Sequence, residues 1–179
     1  LYSKIDDNLN LYLKEDGLYF VLYSEDKYDV IKYKIISANI KKENIIYEEE
    51  MPGYTNYYLG HIPEGLLFIK SYKKVIIKDI YENIDWVLKF DEYNRFHHEF
   101  IIRKGGRIED IRIKIENAEV RIENNEVILR TKLGEIKDGS LRAYQKDREI
   151  EVKLKLENGN EISYVVNNYN KEEDLIIDP

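Results

Sequence analysis

Three histidines, His61, His97 and His98, are the residues of this sequence best suited to metal binding or proton transfer. His97 and His98 stand directly before Glu99, so this stretch carries three potential ligands for one ion. The alternation around them predicts a strand, however, and neighbouring residues of a strand point to opposite faces of a sheet. We therefore predict that one histidine lies near the core and the other at the surface, and that the protein binds no metal.

Paired carboxylates that could catalyse hydrolysis occur in the runs 48–50 and 172–174. Such runs are expected by composition in a chain with 35 Asp and Glu, and a solvated acidic turn explains them. The sequence contains no Gly-rich phosphate loop, no GxSxG nucleophile motif and no cysteine, which excludes thiolate catalysis and cysteine-ligated metals. We predict that the protein is not an enzyme and uses no cofactor.

Sixteen tyrosines make aromatic binding the remaining chemical candidate. Exposed tyrosines can stack on sugar rings or contact a protein partner, whereas tyrosines that only suit a half-buried strand need no ligand. Both interpretations stay open from the sequence. The candidate ligand contacts are Tyr54, Tyr57 and Tyr58, and a second series, Tyr19, Tyr23, Tyr28 and Tyr33, falls in predicted strands.

The elements that must position these residues follow a period of two. In Ile111–Ile115 the isoleucines alternate with Arg112 and Lys114, the pattern of a strand with one buried face. Short turn signals separate such runs, and Asn158-Gly159 predicts a type I′ hairpin between two alternating strands. Strands are predicted near 9–14, 18–23, 28–37, 44–48, 66–70, 73–78, 84–90, 96–103, 108–115, 119–123, 126–132, 148–157, 160–167 and 174–177.

This pattern predicts an all-β fold, an antiparallel β-sandwich or a pair of curved sheets built from hairpins, with little or no helix. Residues 1–179 are expected to form a single β-rich domain, and two packed lobes with a weak boundary near 51–60 are the alternative. The net charge of −7 argues against nucleic acid as a partner, and no apolar stretch is long enough for a direct membrane span. Because the sequence starts at Leu1 without a signal peptide, we expect a fragment of a larger multidomain protein.

Several short phrases occur in a characteristic order along the chain. They are Asn56-Tyr57-Tyr58-Leu59-Gly60, Asp79-Ile80-Tyr81-Glu82-Asn83-Ile84-Asp85-Trp86-Val87, His98-Glu99-Phe100 followed by Gly105, Ala143-Tyr144-Gln145, and Leu175-Ile176-Ile177-Asp178-Pro179. Together they resemble a domain of unknown function found in bacterial secreted and cell-surface proteins. That domain typically stands ahead of SBBP-type β-propeller repeats, and the resemblance covers the chain from about Asn8 to Pro179.

The residues of these phrases are interpreted as structural. Trp86 alternates with Asp85 on its strand, so we expect Trp86 in the core and Asp85 bonded to neighbouring backbone amides. Tyr144 and Gln145 are expected to form hydrogen bonds that satisfy polar groups at the ends of strands. Asp178 is expected to end the last strand. The full set of predicted structural residues is Asp85, Trp86, Phe100, Gly105, Tyr144, Gln145 and Asp178.

The resemblance implies a non-catalytic structural or interaction domain of an exported bacterial protein, secreted or at the cell surface. Its expected role is to cap or orient the β-propeller repeats that follow, and its partners are then these neighbouring domains, a surface protein or a glycan. A carbohydrate-binding module that uses exposed tyrosines is the alternative.

Overall fold

The computed structural model describes the backbone of residues 2–6, 8–53, 55–59, 62–93 and 95–179, and the side chains of residues 8–53, 70–93 and 95–179. These parts of the chain form nineteen β-strands and two 3₁₀ turns, Lys42–Asn44 and Ile108–Asp110. The strands are β1 (Tyr2–Asp6), β2 (Leu9–Lys14), β3 (Gly17–Ser24), β4 (Lys27–Ile35), β5 (Ile45–Glu50), β6 (Thr55–Leu59), β7 (Ile62–Ile69), β8 (Tyr72–Tyr81), β9 (Ile84–Phe90), β10 (Phe96–Ile102), β11 (Arg112–Glu116), β12 (Glu119–Glu123), β13 (Glu126–Arg130), β14 (Glu135–Lys137), β15 (Arg142–Gln145), β16 (Arg148–Ile150), β17 (Val152–Glu157), β18 (Glu161–Val166) and β19 (Leu175–Asp178).

Two seven-stranded antiparallel sheets contain most of these strands. The first sheet has the order β1-β2-β3-β4-β11-β18-β17, and the second sheet has the order β16-β15-β19-β10-β9-β8-β5. A three-stranded sheet, β12-β13-β14, and the two-stranded β6-β7 complete the described fold. The predicted all-β class with little helix is confirmed.

Aromatic side chains join the inner faces of the two large sheets. Phe20 of β3 lies 6.5 Å from Phe96 of β10, measured between ring centroids, and Tyr33 of β4 lies 5.8 Å from His98. Aliphatic residues of both sheets, including Ile31, form one continuous buried cluster with these rings. The face-to-face packing makes the fold a β-sandwich.

The predicted hairpin at Asn158-Gly159 is confirmed, with a loop one residue longer than expected. Both residues have positive φ, 52° and 75°, and the N–H of Asn160 donates to the carbonyl of Glu157 at 3.1 Å, as in a type I′ turn. Asn160 is the third loop residue, since Glu157 pairs directly with Glu161.

Other predicted strand limits are wrong where the chain changes direction between sheets. Residues 108–110 form a 3₁₀ turn, so β11 begins only at Arg112. The strand predicted at 148–157 is interrupted at Glu151, because the chain passes there from β16 of the second sheet to β17 of the first. The prediction also missed β1, β6, β14 and β15, none of which exceeds five residues.

Burial along β9 differs from the simple alternation expected there. Ile84, Trp86 and Leu88 are buried, as the pattern predicts. Asp85 and Val87 should then face solvent, yet only 2% and 1% of their surfaces are exposed. The outer face of the second sheet is therefore covered at its centre, and charged side chains provide part of that cover.

Candidate functional site

A chain of polar side chains crosses the core between the two sheets. The indole Nε1–H of Trp86 donates to Nδ1 of His98 at 3.3 Å, and Nε2 of His98 lies 3.6 Å from Oδ2 of Asp138. The hydroxyl of Tyr33 donates to the same carboxylate oxygen at 2.8 Å. Because Nδ1 accepts from the indole, the hydrogen-bond network places a ring proton of His98 on Nε2, facing Asp138.

Asp138 is ionised in these surroundings and Tyr33 is neutral. Burial by itself raises the pKa of Asp138, but the nearby ring of His98 and the hydrogen bond from Tyr33 outweigh it and hold that pKa below its usual value. Burial and then the charge of Asp138 raise the pKa of Tyr33 well above its usual range. Tyr164 is buried nearby, and its hydroxyl has no hydrogen-bond partner within the described part of the chain.

We expect Tyr33→Phe to lower the free energy of unfolding by about 1.5–3 kcal/mol, the range for a hydrogen bond to a charged group. Tyr164→Phe removes a buried hydroxyl without a partner, so it should leave stability within about 0.5 kcal/mol of the parent or raise it. Urea unfolding followed by the fluorescence of Trp86, the single tryptophan, measures both variants. Equal losses of unfolding free energy in the two variants would show that the hydrogen bond from Tyr33 to Asp138 does not stabilise the fold.

Asp85 is the centre of an ionic cluster on the outer face of the second sheet. Its carboxylate pairs with Lys78 and Arg103 and accepts the backbone N–H of Asp79 at 2.9 Å. Burial tends to raise the pKa of Asp85, but these hydrogen bonds lower it below its usual value. The cluster ties β8, β9 and the end of β10 together.

Gly105 lies in the turn that follows Arg103, directly against the β8–β9 turn. Its φ is +89°, and a Cβ on this residue would stand 3.2 Å from Nδ2 of Asn83. The backbone N–H of Arg103 donates to the carbonyl of Asn83 at 2.9 Å. Glycine is favoured here because Gly105 has a left-handed backbone conformation and because the two turns approach each other closely.

A second ionic cluster on the same face surrounds Glu99, which is buried. Glu99 pairs with Lys89 and accepts a long hydrogen bond of 3.4 Å from the hydroxyl of Tyr144. Burial, followed by the charge of Glu99, raises the pKa of Tyr144 to about 12 and also raises the pKa of Asp178. The ammonium of Lys89 already compensates the charge of Glu99, so this arrangement holds the sheet together.

Gln145 fixes the loop that leads into β19. Its Nε2 donates to the carbonyls of Asn170 and Glu173 at 2.7 and 3.1 Å, and its Oε1 accepts the N–H of Asn170 at 2.8 Å. Phe100, another residue of the short phrases, is fully buried and stacks on Trp86 with ring centroids 5.9 Å apart. Both residues support the framework.

The seven candidate tyrosines fall into three groups. Tyr54, Tyr57 and Tyr58, the predicted ligand contacts, lie outside the residues whose side chains the structure describes. Tyr33 of the second series is a core residue, with 2% of its surface exposed. The others of that series, Tyr19, Tyr23 and Tyr28, share the outer face of the first sheet, as the alternation along β3 and β4 requires.

Tyr23 and Tyr28 pair directly across the β3–β4 hairpin, with ring centroids 6.5 Å apart. Tyr28 is 67% exposed. Tyr19 lies further along the same face, where the ammonium of Lys32 sits 5.7 Å from its ring centroid. The hydroxyl of Tyr19 donates to Oδ2 of Asp16 at 3.1 Å.

An open groove of about 650 Å³ lies beside Tyr19, between the β2–β3 turn and the segment that leads from the first sheet to the second. Three apolar residues form its floor: Leu13, Ile40 and Ile45. Charged residues form its rim: Lys14, Glu15, Asp16, Lys41 and Lys42. We call it the Tyr19 groove.

No three His, Asp or Glu side chains within residues 8–53, 70–93 and 95–179 are placed to share a metal ion. His97 contacts Asp91 on one face of β10, while His98 faces the core. Among the described residues, no helix has the length and apolar character that crossing a bilayer requires.

A family model described as a domain of unknown function, DUF7948, matches residues 2–179. The chain belongs to this family. No curated protein and no solved structure matches the chain. The DUF7948 match spans both large sheets, so the family corresponds to the whole sandwich and not to one of its sheets.

Two features of this DUF7948 domain were missed from the sequence. Asp138 carries the turn signal Asp138-Gly139, and nothing in that signal shows that its carboxylate reaches the core. The Tyr19 groove combines residues of the β2–β3 turn with Lys41 and Lys42, about 25 positions later, and no motif links them. The adjacent pair Lys41-Lys42 is no such signal, because Lys73-Lys74 forms an identical pair elsewhere in the sequence.

Proposed function

We propose that this DUF7948 domain is a non-catalytic structural and interaction module of an exported bacterial cell-surface protein, and that it caps or orients a β-propeller repeat region that follows it. The position of β19 is the observation that carries the proposal. This strand lies between β10 and β15, inside the second sheet, and Ile177 pairs with Phe100 on one side and Ala143 on the other. Pro179 is buried directly after it. A chain that continues from Pro179 leaves from a strand held on both sides.

The contacts of the short-phrase residues support a structural role. Asp85 is engaged by two cations and a backbone amide, and Gln145 by the loop before β19. A catalytic side chain needs a donor, an acceptor or a lone pair that is free to reach a substrate. The side chains of Asp85 and Gln145 instead use their hydrogen-bonding capacity inside the domain. The contacts of Gln145 hold the loop that leads into β19.

The orienting role predicts a fixed distance between this domain and the first repeat. The sequence has no cysteine, so Lys153→Cys on β17 and one cysteine in the first repeat can carry spin labels in the longer chain. Pulsed electron paramagnetic resonance should give one narrow distance distribution. A flexible insert of about ten Gly and Ser residues after Pro179 is the control and should broaden it. An equally broad distribution without the insert would rule out orientation.

Carbohydrate binding is the second candidate, favoured by the exposed Tyr23–Tyr28 pair on the outer face of the first sheet. Aromatic rings on an open sheet face can stack on pyranose rings. A thermal-unfolding screen with EDTA, Ca²⁺, Zn²⁺ and bacterial and host polysaccharides tests it, because a ligand at 100 times its Kd adds about 2.7 kcal/mol to stability. No shift with any polysaccharide would remove this candidate and leave the orienting role intact.

A further inference from the structure

The Tyr19 groove combines an apolar floor with ammonium groups that have no acidic partner among the described residues. Lys41 and Lys42 are exposed, and no described carboxylate lies within 4.0 Å of either ammonium group, nor of that of Lys14. Lys14 instead lies 5.7 Å from the ring centroid of Tyr12. Three ammonium groups without a described carboxylate partner therefore meet at one groove, and together they favour a ligand that carries negative charge.

The carboxylates of the same rim narrow the class of ligand. Asp16 accepts the hydroxyl of Tyr19 at 3.1 Å and lies 3.6 Å from Nζ of Lys34, and Glu15 is exposed beside it. Carboxylates repel a densely charged ligand such as a polyphosphate, but they accept hydrogen bonds from hydroxyl groups. A ligand that carries both hydroxyl groups and well-separated carboxylates can pair with the lysines of the rim and also with its carboxylates.

The ring of Tyr19 adds a surface for a flat apolar group. Its hydrogen bond to Asp16 and the nearby ammonium of Lys32 hold the ring in place at the groove wall. One face of a pyranose ring is a row of C–H groups, which pack well against aromatic rings and aliphatic floors such as Leu13 and Ile40.

We propose that the Tyr19 groove binds a polysaccharide that contains uronic acid residues. A sugar carboxylate pairs with Lys41 and Lys42, sugar hydroxyls donate to Glu15 and Asp16, and the C–H face of one ring packs on Tyr19. The proposal deepens the carbohydrate-binding candidate by naming a site and a ligand class, and it is independent of the orienting role.

Isothermal titration calorimetry of the intact chain with oligogalacturonate tests the proposal. We expect binding that weakens with added salt, and a loss of about tenfold or more in affinity in the double variant Lys41→Glu/Lys42→Glu, since two partly exposed charge contacts are reversed. The matched control is Lys153→Glu/Lys155→Glu on β17, at the far edge of the same sheet, which changes the net charge equally and should bind as the parent does. Circular dichroism confirms that both variants are folded.

Further ligands and one more variant separate the alternatives. Cello-oligosaccharide and poly-glutamate should both bind at least tenfold more weakly than oligogalacturonate. Equal binding of poly-glutamate would overturn the proposal in favour of an acidic peptide site, and equal loss in the two lysine variants would reduce it to a general charge effect. If Tyr28→Ala abolishes binding while Lys41→Glu/Lys42→Glu does not, carbohydrate binding holds but this groove is not its site.

Discussion

Trp86→Ala is expected to lower the free energy of unfolding by about 3–5 kcal/mol, the cost of emptying a large aromatic site in a packed core. The indole is fully buried, stacks on Phe100 at an interplanar angle of 4°, and meets the ring of His98 edge-on. Its removal also leaves Nδ1 of His98 without the donor that satisfies it at 3.3 Å. Urea unfolding followed by far-ultraviolet circular dichroism measures the loss, because the variant has no tryptophan fluorescence.

Two further variants separate the packing of Trp86 from its hydrogen bond. Trp86→Phe keeps an aromatic ring but removes the N–H, so we expect a loss of about 1–3 kcal/mol from the unsatisfied imidazole nitrogen together with the smaller volume. Tyr93→Ala, at a residue that is 72% exposed, should stay within about 0.5 kcal/mol of the parent. A Trp86→Ala variant as stable as Tyr93→Ala would mean that the indole is not packed in the core in solution.

Trp86 also shows what alternation in a sequence can predict. A period of two identifies which residues share a face, and it correctly placed Ile84, Trp86 and Leu88 together in the core. The period of two does not predict what covers the opposite face. Asp85 is buried although it lies on the outer face, where Lys78 of β8 and Arg103, just after β10, pair with its carboxylate, and alternation along β9 alone gives no sign of these partners.

The order of strands within each sheet could not be read from the order along the chain. Hairpins such as β2–β3 and β17–β18 follow from turn residues and local alternation. The pairing of β4 with β11, and the placement of β19 between β10 and β15, join segments tens of residues apart. The turn residues that specify a hairpin have no counterpart for such pairings, so the class of the fold and its local hairpins were predictable but the strand order was not.

The polar residues of the core were predictable in part for the same reason. His98 was expected on one face and His97 on the other because they are adjacent in a strand. Asp138, the partner of His98, is 40 positions away in a turn that joins the small three-stranded sheet to β15. A turn aspartate normally bonds its own backbone, so its type and spacing gave no reason to place it beside His98.

Gly17→Ala is expected to lower the free energy of unfolding by more than about 3 kcal/mol, because the substitution combines a strained backbone with a direct overlap. Gly17 begins β3 with a φ of +142°, a conformation that L-residues rarely adopt. A Cβ there would overlap the carbonyl oxygen of Tyr33 and would stand 3.0 Å from its carbonyl carbon and 3.1 Å from the backbone nitrogen of Ile35. These atoms belong to β4 and cannot rotate away as a flexible side chain can.

Relief of the overlap therefore requires β3 and β4 to separate at Gly17, where the N–H of Ile35 donates to the carbonyl of Asp16 at 2.9 Å. Gly139→Ala is the matched control, since its Cβ would meet nothing within 4 Å and its φ is not positive; it should change stability by less than about 0.5 kcal/mol. The urea concentrations at which the two variants are half unfolded, measured side by side, test whether this overlap destabilises the Gly17→Ala variant. If Gly17→Ala unfolds at the same urea concentration as Gly139→Ala, the close approach of Gly17 to the Tyr33 carbonyl does not exist in solution.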